Sequence, residues 1–148
     1  MKAKIFEFKL NRQVEFADTD MAGIMHFSNF FRFMEAAEHA FFRSLGFSIY
    51  DTGHRQAIGW PRVHASCDFC YPLKFEDIVE IHLRVCEKRK KSLVYLFVFR
   101  RLNKCPVREV ARGTLVVACV SRADSRGPMV SIPIPKGISS KIGVAPKE

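Results

Sequence analysis

The sequence predicts an α+β fold, an antiparallel sheet of about five strands wrapped around one long helix. Three observations carry this. Residues 27–45 place apolar side chains at helical spacing. Five other stretches alternate apolar and polar residues or run almost wholly apolar, as strands do. Their order is one strand, the helix, then four strands joined by short turns, which is an α+β pattern with an antiparallel sheet.

Residues 4–16 form the first strand, with Phe6, Phe8 and Leu10 alternating against Glu7, Lys9 and Asn11. An acidic turn follows, Asp18-Thr19-Asp20-Met21-Ala22-Gly23, and then the short apolar run Ile24-Met25-His26. On a helical wheel Phe27, Phe30, Phe31, Met34, Ala37, Phe41, Phe42 and Leu45 share one broad arc, and Arg32, Glu35, His39 and Arg43 share another. Ser28 or Asn29 can cap the start, and Gly46 stands where a C-cap belongs. A helix this rich in Phe must be wrapped. Glu38 interrupts its apolar arc, so its carboxylate must be paired, protonated or turned toward a polar cavity.

Residues 47–61 are irregular, with Gly53, Gly59 and Pro61 as punctuation and His54, Arg55 and Trp60 as contacts for a substrate or a partner. Residues 62–71 and 78–87 alternate as strands around a turn at 74–77, and the basic block Lys88-Arg89-Lys90-Lys91 connects the second to residues 92–99. That stretch, SLVYLFVF, is apolar on both faces and calls for cover on both. Residues 103–106 turn the chain into a last long strand, 107–121, where Gly113 marks a bulge or a close approach of backbone. A turn cluster fills 121–128, and the Pro- and Lys-rich tail from about 136 is expected to be poorly ordered. The whole, residues 1–148, reads as a single domain.

Composition narrows the class. Nearly half the residues are apolar and fourteen are Phe, which excludes disorder for the body of the chain. No run approaches the roughly 20 apolar residues of a membrane span, and the first ten residues lack a signal peptide's apolar block. A cytoplasmic protein is expected, with its five cysteines reduced. Cys67 and Cys70 lie in a strand-like run, where positions i and i+3 face opposite ways. No His or Cys set has metal-ligand spacing, so neither a metal nor a cofactor is expected. The net charge of +9 favours anionic partners. The basic blocks 88–91 and Arg100-Arg101 carry no interleaved aromatics, and no nucleic-acid-binding signature is present.

The turn before the helix suits chemistry on an acyl group. A helix N-terminus offers unpaired N–H groups and the positive end of its dipole to a developing oxyanion. A carboxylate a few residues earlier can act as nucleophile or general base. Asp20 supplies the carboxylate, and Gly23 lets the backbone bend.

The stretch Asp18-Thr19-Asp20-Met21-Ala22-Gly23-Ile24-Met25-His26-Phe27-Ser28-Asn29-Phe30 resembles the signature of the 4-hydroxybenzoyl-CoA thioesterase family. The resemblance implies the hot-dog fold and hydrolysis of acyl-CoA thioesters. It puts the catalytic carboxylate on Asp20 and the carbonyl-polarising N–H on Phe27, and it implies a homodimer or homotetramer. Phe27 and Phe30 stand where relatives often carry Tyr, and His26 takes a usually aromatic slot, which bears on the acyl group more than on the reaction. His26, Glu35, Trp60 and the basic Arg89, Lys90 and Lys91 are expected substrate contacts, the last three holding CoA phosphates. The rival reading is a non-catalytic protein of the same fold that binds acyl-CoA or an acyl-carrier protein.

Overall fold

The computed structural model describes residues 3–50, 57–124 and 126–148. The His54 and Arg55 contacts lie outside these residues. Five strands form one antiparallel sheet in the order β1-β4-β5-β6-β3: β1 (Glu7–Gln13), β3 (Arg62–Phe69), β4 (Ile78–Lys88), β5 (Ser92–Arg101) and β6 (Arg108–Ala118). One long helix, α1 (Ser28–Ser44), packs into that sheet. The expected architecture is the observed one.

The core is built where the periodicities meet. Phe30, Met34, Ala37, Phe41 and Phe42 of α1 are buried against Leu93, Tyr95, Phe97 and Phe99 of β5. Phe30 meets Phe99 edge to face at 5.2 Å. Gly113 is a close approach: a Cβ there would stand 2.1 Å from Met34 Cε and 3.0 Å from the Ser66 carbonyl oxygen. Phe33, absent from the expected apolar arc, is also buried, with the Arg12 guanidinium 5.3 Å from its ring centre. Phe27 leaves that arc, because it stands at the N-cap position rather than inside a helical turn, and it is 60% exposed.

Three further expectations are corrected. The helix start is not capped by the side chain of Ser28 or Asn29; the Asn29 side chain instead donates to the Asp18 carbonyl at 2.8 Å. Gly46, at φ +91°, does end the helix. The last long strand divides at Cys119, where the chain leaves β6 for a second, three-stranded sheet of β2 (Ala57–Gly59), β7 (Val120–Arg122) and β8 (Val130–Ser131).

The segment from 136, expected to be poorly ordered, packs instead. A short helix, α2 (Lys136–Ser139), precedes Ile142, which is fully buried, as Ile138 nearly is. Lys88 Nζ donates to the Ser139 and Ile142 carbonyls at 2.9 and 2.8 Å. Beyond them the Ala145 N–H donates to the Val85 carbonyl at 2.8 Å. Two isoleucines thus anchor a stretch whose Pro and Lys content suggested solvent. Residues 145–148 also border Leu96, so the chain itself supplies part of the cover expected for the second face of β5. Among the described residues no helix is long and apolar enough to cross a membrane.

Candidate active site

The turn ahead of α1 is fixed by its own main chain. Thr19 and Met25 form an antiparallel bridge, and the Asp20 N–H donates to the Ile24 carbonyl at 2.9 Å. The His26 N–H donates to the Asp18 carbonyl, and the Met25 N–H to the Leu73 carbonyl. Gly23, at φ +78°, takes the left-handed conformation that closes the turn. Asp18 braces it from the other side, its Oδ2 accepting the Glu15 N–H at 2.8 Å. Asp20 Oδ1 accepts the Ala22 N–H at 2.8 Å, which orients the carboxylate.

Asp20 opens onto two grooves. The first, a cavity of about 440 Å³, is lined by Phe27, Phe30, Phe69, Cys70 and Tyr71 among others. The second, about 530 Å³, is bordered by Phe16, Met21, Gly23 and Phe75. Residues 69–71 stood in the sequence at a strand end before Pro72, with nothing to mark them as a groove wall. At the helix start, Ser28 donates its N–H to His26 Nδ1 (3.3 Å), Asn29 to the His26 carbonyl and Phe30 to the Phe27 carbonyl. The Phe27 N–H has no acceptor among the described residues. Asp20 and Phe27, whose N–H stands at the positive end of a 17-residue helix, therefore line one apolar groove.

The other expected contacts are placed elsewhere. His26 lies at the helix start, its Nδ1 2.7 Å from Ser28 Oγ and its ring 4.6 Å from that of Phe27, but it does not line the groove. Trp60 is a core residue, 7% exposed and edge to face with Phe42 of α1 at 5.3 Å, on the short connection between residues 57–59 and β3. Glu35 is 3.8 Å from Arg62 and 3.9 Å from His39, two turns along α1 from the groove. Arg89, Lys90 and Lys91 sit beyond the far end of β4, whose eleven residues carry them about 33 Å from the Asp20 end of the sheet. Arg89 there pairs with Glu87 at 2.7 Å, and within one chain this block and Asp20 do not meet.

Glu38, whose partner the sequence left open, is fully buried and held in a fork by Arg62, at 2.8 and 3.1 Å. Burial pushes its carboxyl above the ordinary value of 4.5, and Arg62 only partly offsets this. The five cysteines are free thiols.

Residues 14–142 match the family model described as the thioesterase-like superfamily. An esterase-like relative from Aquifex aeolicus, strain VF5, described as a putative esterase, is 33% identical over 91 residues, 62% of this chain and 70% of its own. The 4-hydroxybenzoyl-CoA thioesterase of Pseudomonas sp. strain CBS-3 is 30% identical over 87 residues, 57% of this chain; the match spans 62% of that relative's length, under two thirds. Among solved structures, a gentisyl-coenzyme A thioesterase superposes with a TM-score of 0.76 at 30% identity, covering 89% of this chain and 99% of that one.

Proposed function

The chain belongs to the thioesterase-like superfamily, and from that membership we propose that it hydrolyses acyl-CoA thioesters to CoA and a free carboxylic acid. One observation supports the chemistry above the rest: Asp20 and Phe27, whose N–H has no acceptor among the described residues, line the same apolar groove. The thioester carbonyl lies with its oxygen at the Phe27 N–H, where the helix dipole favours negative charge. Asp20 either attacks the carbonyl carbon or takes a proton from an attacking water. Along either route a C–O bond forms, the C–S bond breaks and CoA leaves as its thiolate, which takes up a proton. Where Asp20 is the nucleophile, water then cleaves the acyl–Asp20 anhydride, releasing the acid and restoring the carboxylate. The aromatic walls of the groove take the acyl group and keep water from it.

The test is a hydrolysis screen over benzoyl-, short-chain and long-chain acyl-CoAs, with free CoA thiol as the readout. Release of CoA from none of them, with binding intact, would leave the non-catalytic reading. The Phe27 N–H has its own variant. Phe27 has φ −55°, close to the angle proline imposes, so Phe27→Pro deletes the N–H at small cost to the backbone. Relative to Phe27→Ala, which loses only the ring, it should lower kcat by about a further 10²–10³-fold. Equal kcat in the two variants would remove the N–H from the mechanism.

A further inference from the structure

One row of the large sheet carries three arginines. Arg12 is paired in register with Val79, Val79 with Arg101, and Arg101 with Arg108. The row lies on the helix side, since Arg12 stacks on Phe33 of α1 and Val79 is fully buried. Like charges directly opposite one another in an antiparallel pair are destabilising. Elsewhere this sheet pairs its arginines: Arg100 with Glu80, Arg112 with Glu109, Arg84 with Glu148. Among the described residues no carboxylate pairs with Arg101 or Arg108. Arg101 Nε is buried and has no hydrogen-bond partner.

Neither arginine lines the Asp20 groove itself, but Arg108 adjoins it through Tyr71 and Arg101 faces Arg108 in register. The Arg108 guanidinium stands 4.2 Å from the centre of the Tyr71 ring, and Tyr71 lines that groove. Arg101 follows Phe99 by two residues, about 7 Å along the strand on the same face, and Phe99 packs on Phe30 of the groove. An anion between the two guanidinium groups would bridge the opposed charges and supply the acceptor Arg101 lacks. Planar guanidinium forks suit carboxylate and phosphate oxygens.

We propose that Arg101 and Arg108 form an anion subsite beside the groove, next to Tyr71, which selects thioesters carrying a carboxylate or phosphate beyond the reacting carbonyl. Naming the thioester as its carrier rests on the thioesterase reading; the subsite itself does not. The anion comes either from the acyl group or from the nucleotide end of CoA, and matched substrates separate the two. Wild type and the Arg101→Gln/Arg108→Gln variant are assayed on benzoyl and 4-carboxybenzoyl thioesters, each made with CoA and with N-acetylcysteamine. An acyl carboxylate in the subsite predicts a loss in kcat/KM of about tenfold or more on both 4-carboxybenzoyl substrates and none on the benzoyl pair. A CoA phosphate predicts that loss on both CoA substrates and none on the N-acetylcysteamine pair. Equal losses on all four, or none on any, overturn the proposal.

A melting experiment makes the test independent of turnover. Inorganic sulfate should raise the Tm of wild type and of the Arg89→Gln/Lys90→Gln control, but not that of the Arg101→Gln/Arg108→Gln variant. Without sulfate that variant should melt no lower than wild type, because an opposed pair of like charges has gone; should it fail to fold, Arg108→Gln, at an exposed position, carries the same comparison. The same sulfate response in all proteins overturns the subsite. A selective response in a protein that hydrolyses no thioester overturns the thioesterase reading alone.

Discussion

Asp20→Asn should lower kcat by about two to four orders of magnitude and leave the protein folded. The substitution keeps an Oδ1 that accepts the Ala22 N–H, so the turn survives while the nucleophile or base is lost. The remaining turn contacts, from the Thr19–Met25 bridge to the Asn29–Asp18 bond, do not involve the carboxylate. KM should change little if the groove, rather than Asp20, holds the acyl group. Asp18→Asn is the matched control: its side chain braces the Glu15 N–H away from the groove and should cost far less turnover. Steady-state rates on one acyl-CoA, with melting curves of each variant, check this. Wild-type turnover in Asp20→Asn would remove Asp20 from the reaction.

Arg62→Leu should destabilise the protein by about 3–5 kcal/mol, since it leaves Glu38 buried without its counter-charge. The double variant Arg62→Leu/Glu38→Gln should recover most of the loss, because no charge then stays buried. The pH dependence follows in sign. A carboxyl whose folded value is raised binds a proton more readily in the native state. Its protonated form therefore supports the fold below about 4.5, and that support is lost as pH rises through the raised value. With Arg62 gone the carboxyl rises further, so the deficit of Arg62→Leu should shrink on acidification from neutral pH toward 5. Denaturant titrations at both pH values measure it. A variant as stable as wild type at neutral pH would mean the pair contributes nothing net.

Much of this was legible in the sequence, for physical reasons. A Phe-rich 3.6-residue period and five strand-like runs, alternating or apolar on both faces, marked helix and sheet, so both could be read without tertiary information. Asp20 and Gly23 were legible because the turn is local: every bond that shapes it joins nearby residues, apart from the one to Leu73. What could not be read was register and distance. Arg62 lies 24 positions from Glu38 and gave no sign of being its partner. Arg101 faces Arg108 only because the pairing shifts between Phe99 and Arg100. Trp60 could as well have faced solvent, and the basic block at 88–91 looked near the site only while β4's length was ignored.

The Asp20 turn and the groove wall belong to different segments of the chain. The carboxylate, the bend and the open N–H all come from residues 20–27, locked by main-chain bonds, whereas Phe69 to Tyr71 and Arg108 arrive from the sheet. On the proposed reading, the reactive atoms and the surfaces that choose among acyl groups can therefore vary separately. If the proposed function and subsite hold, drift at 69–71, 101 and 108 would retune which thioester is taken without disturbing the turn that carries Asp20. For directed evolution this makes a compact library: five positions on three strands and the turn beyond β3, with the motif at 18–30 held constant.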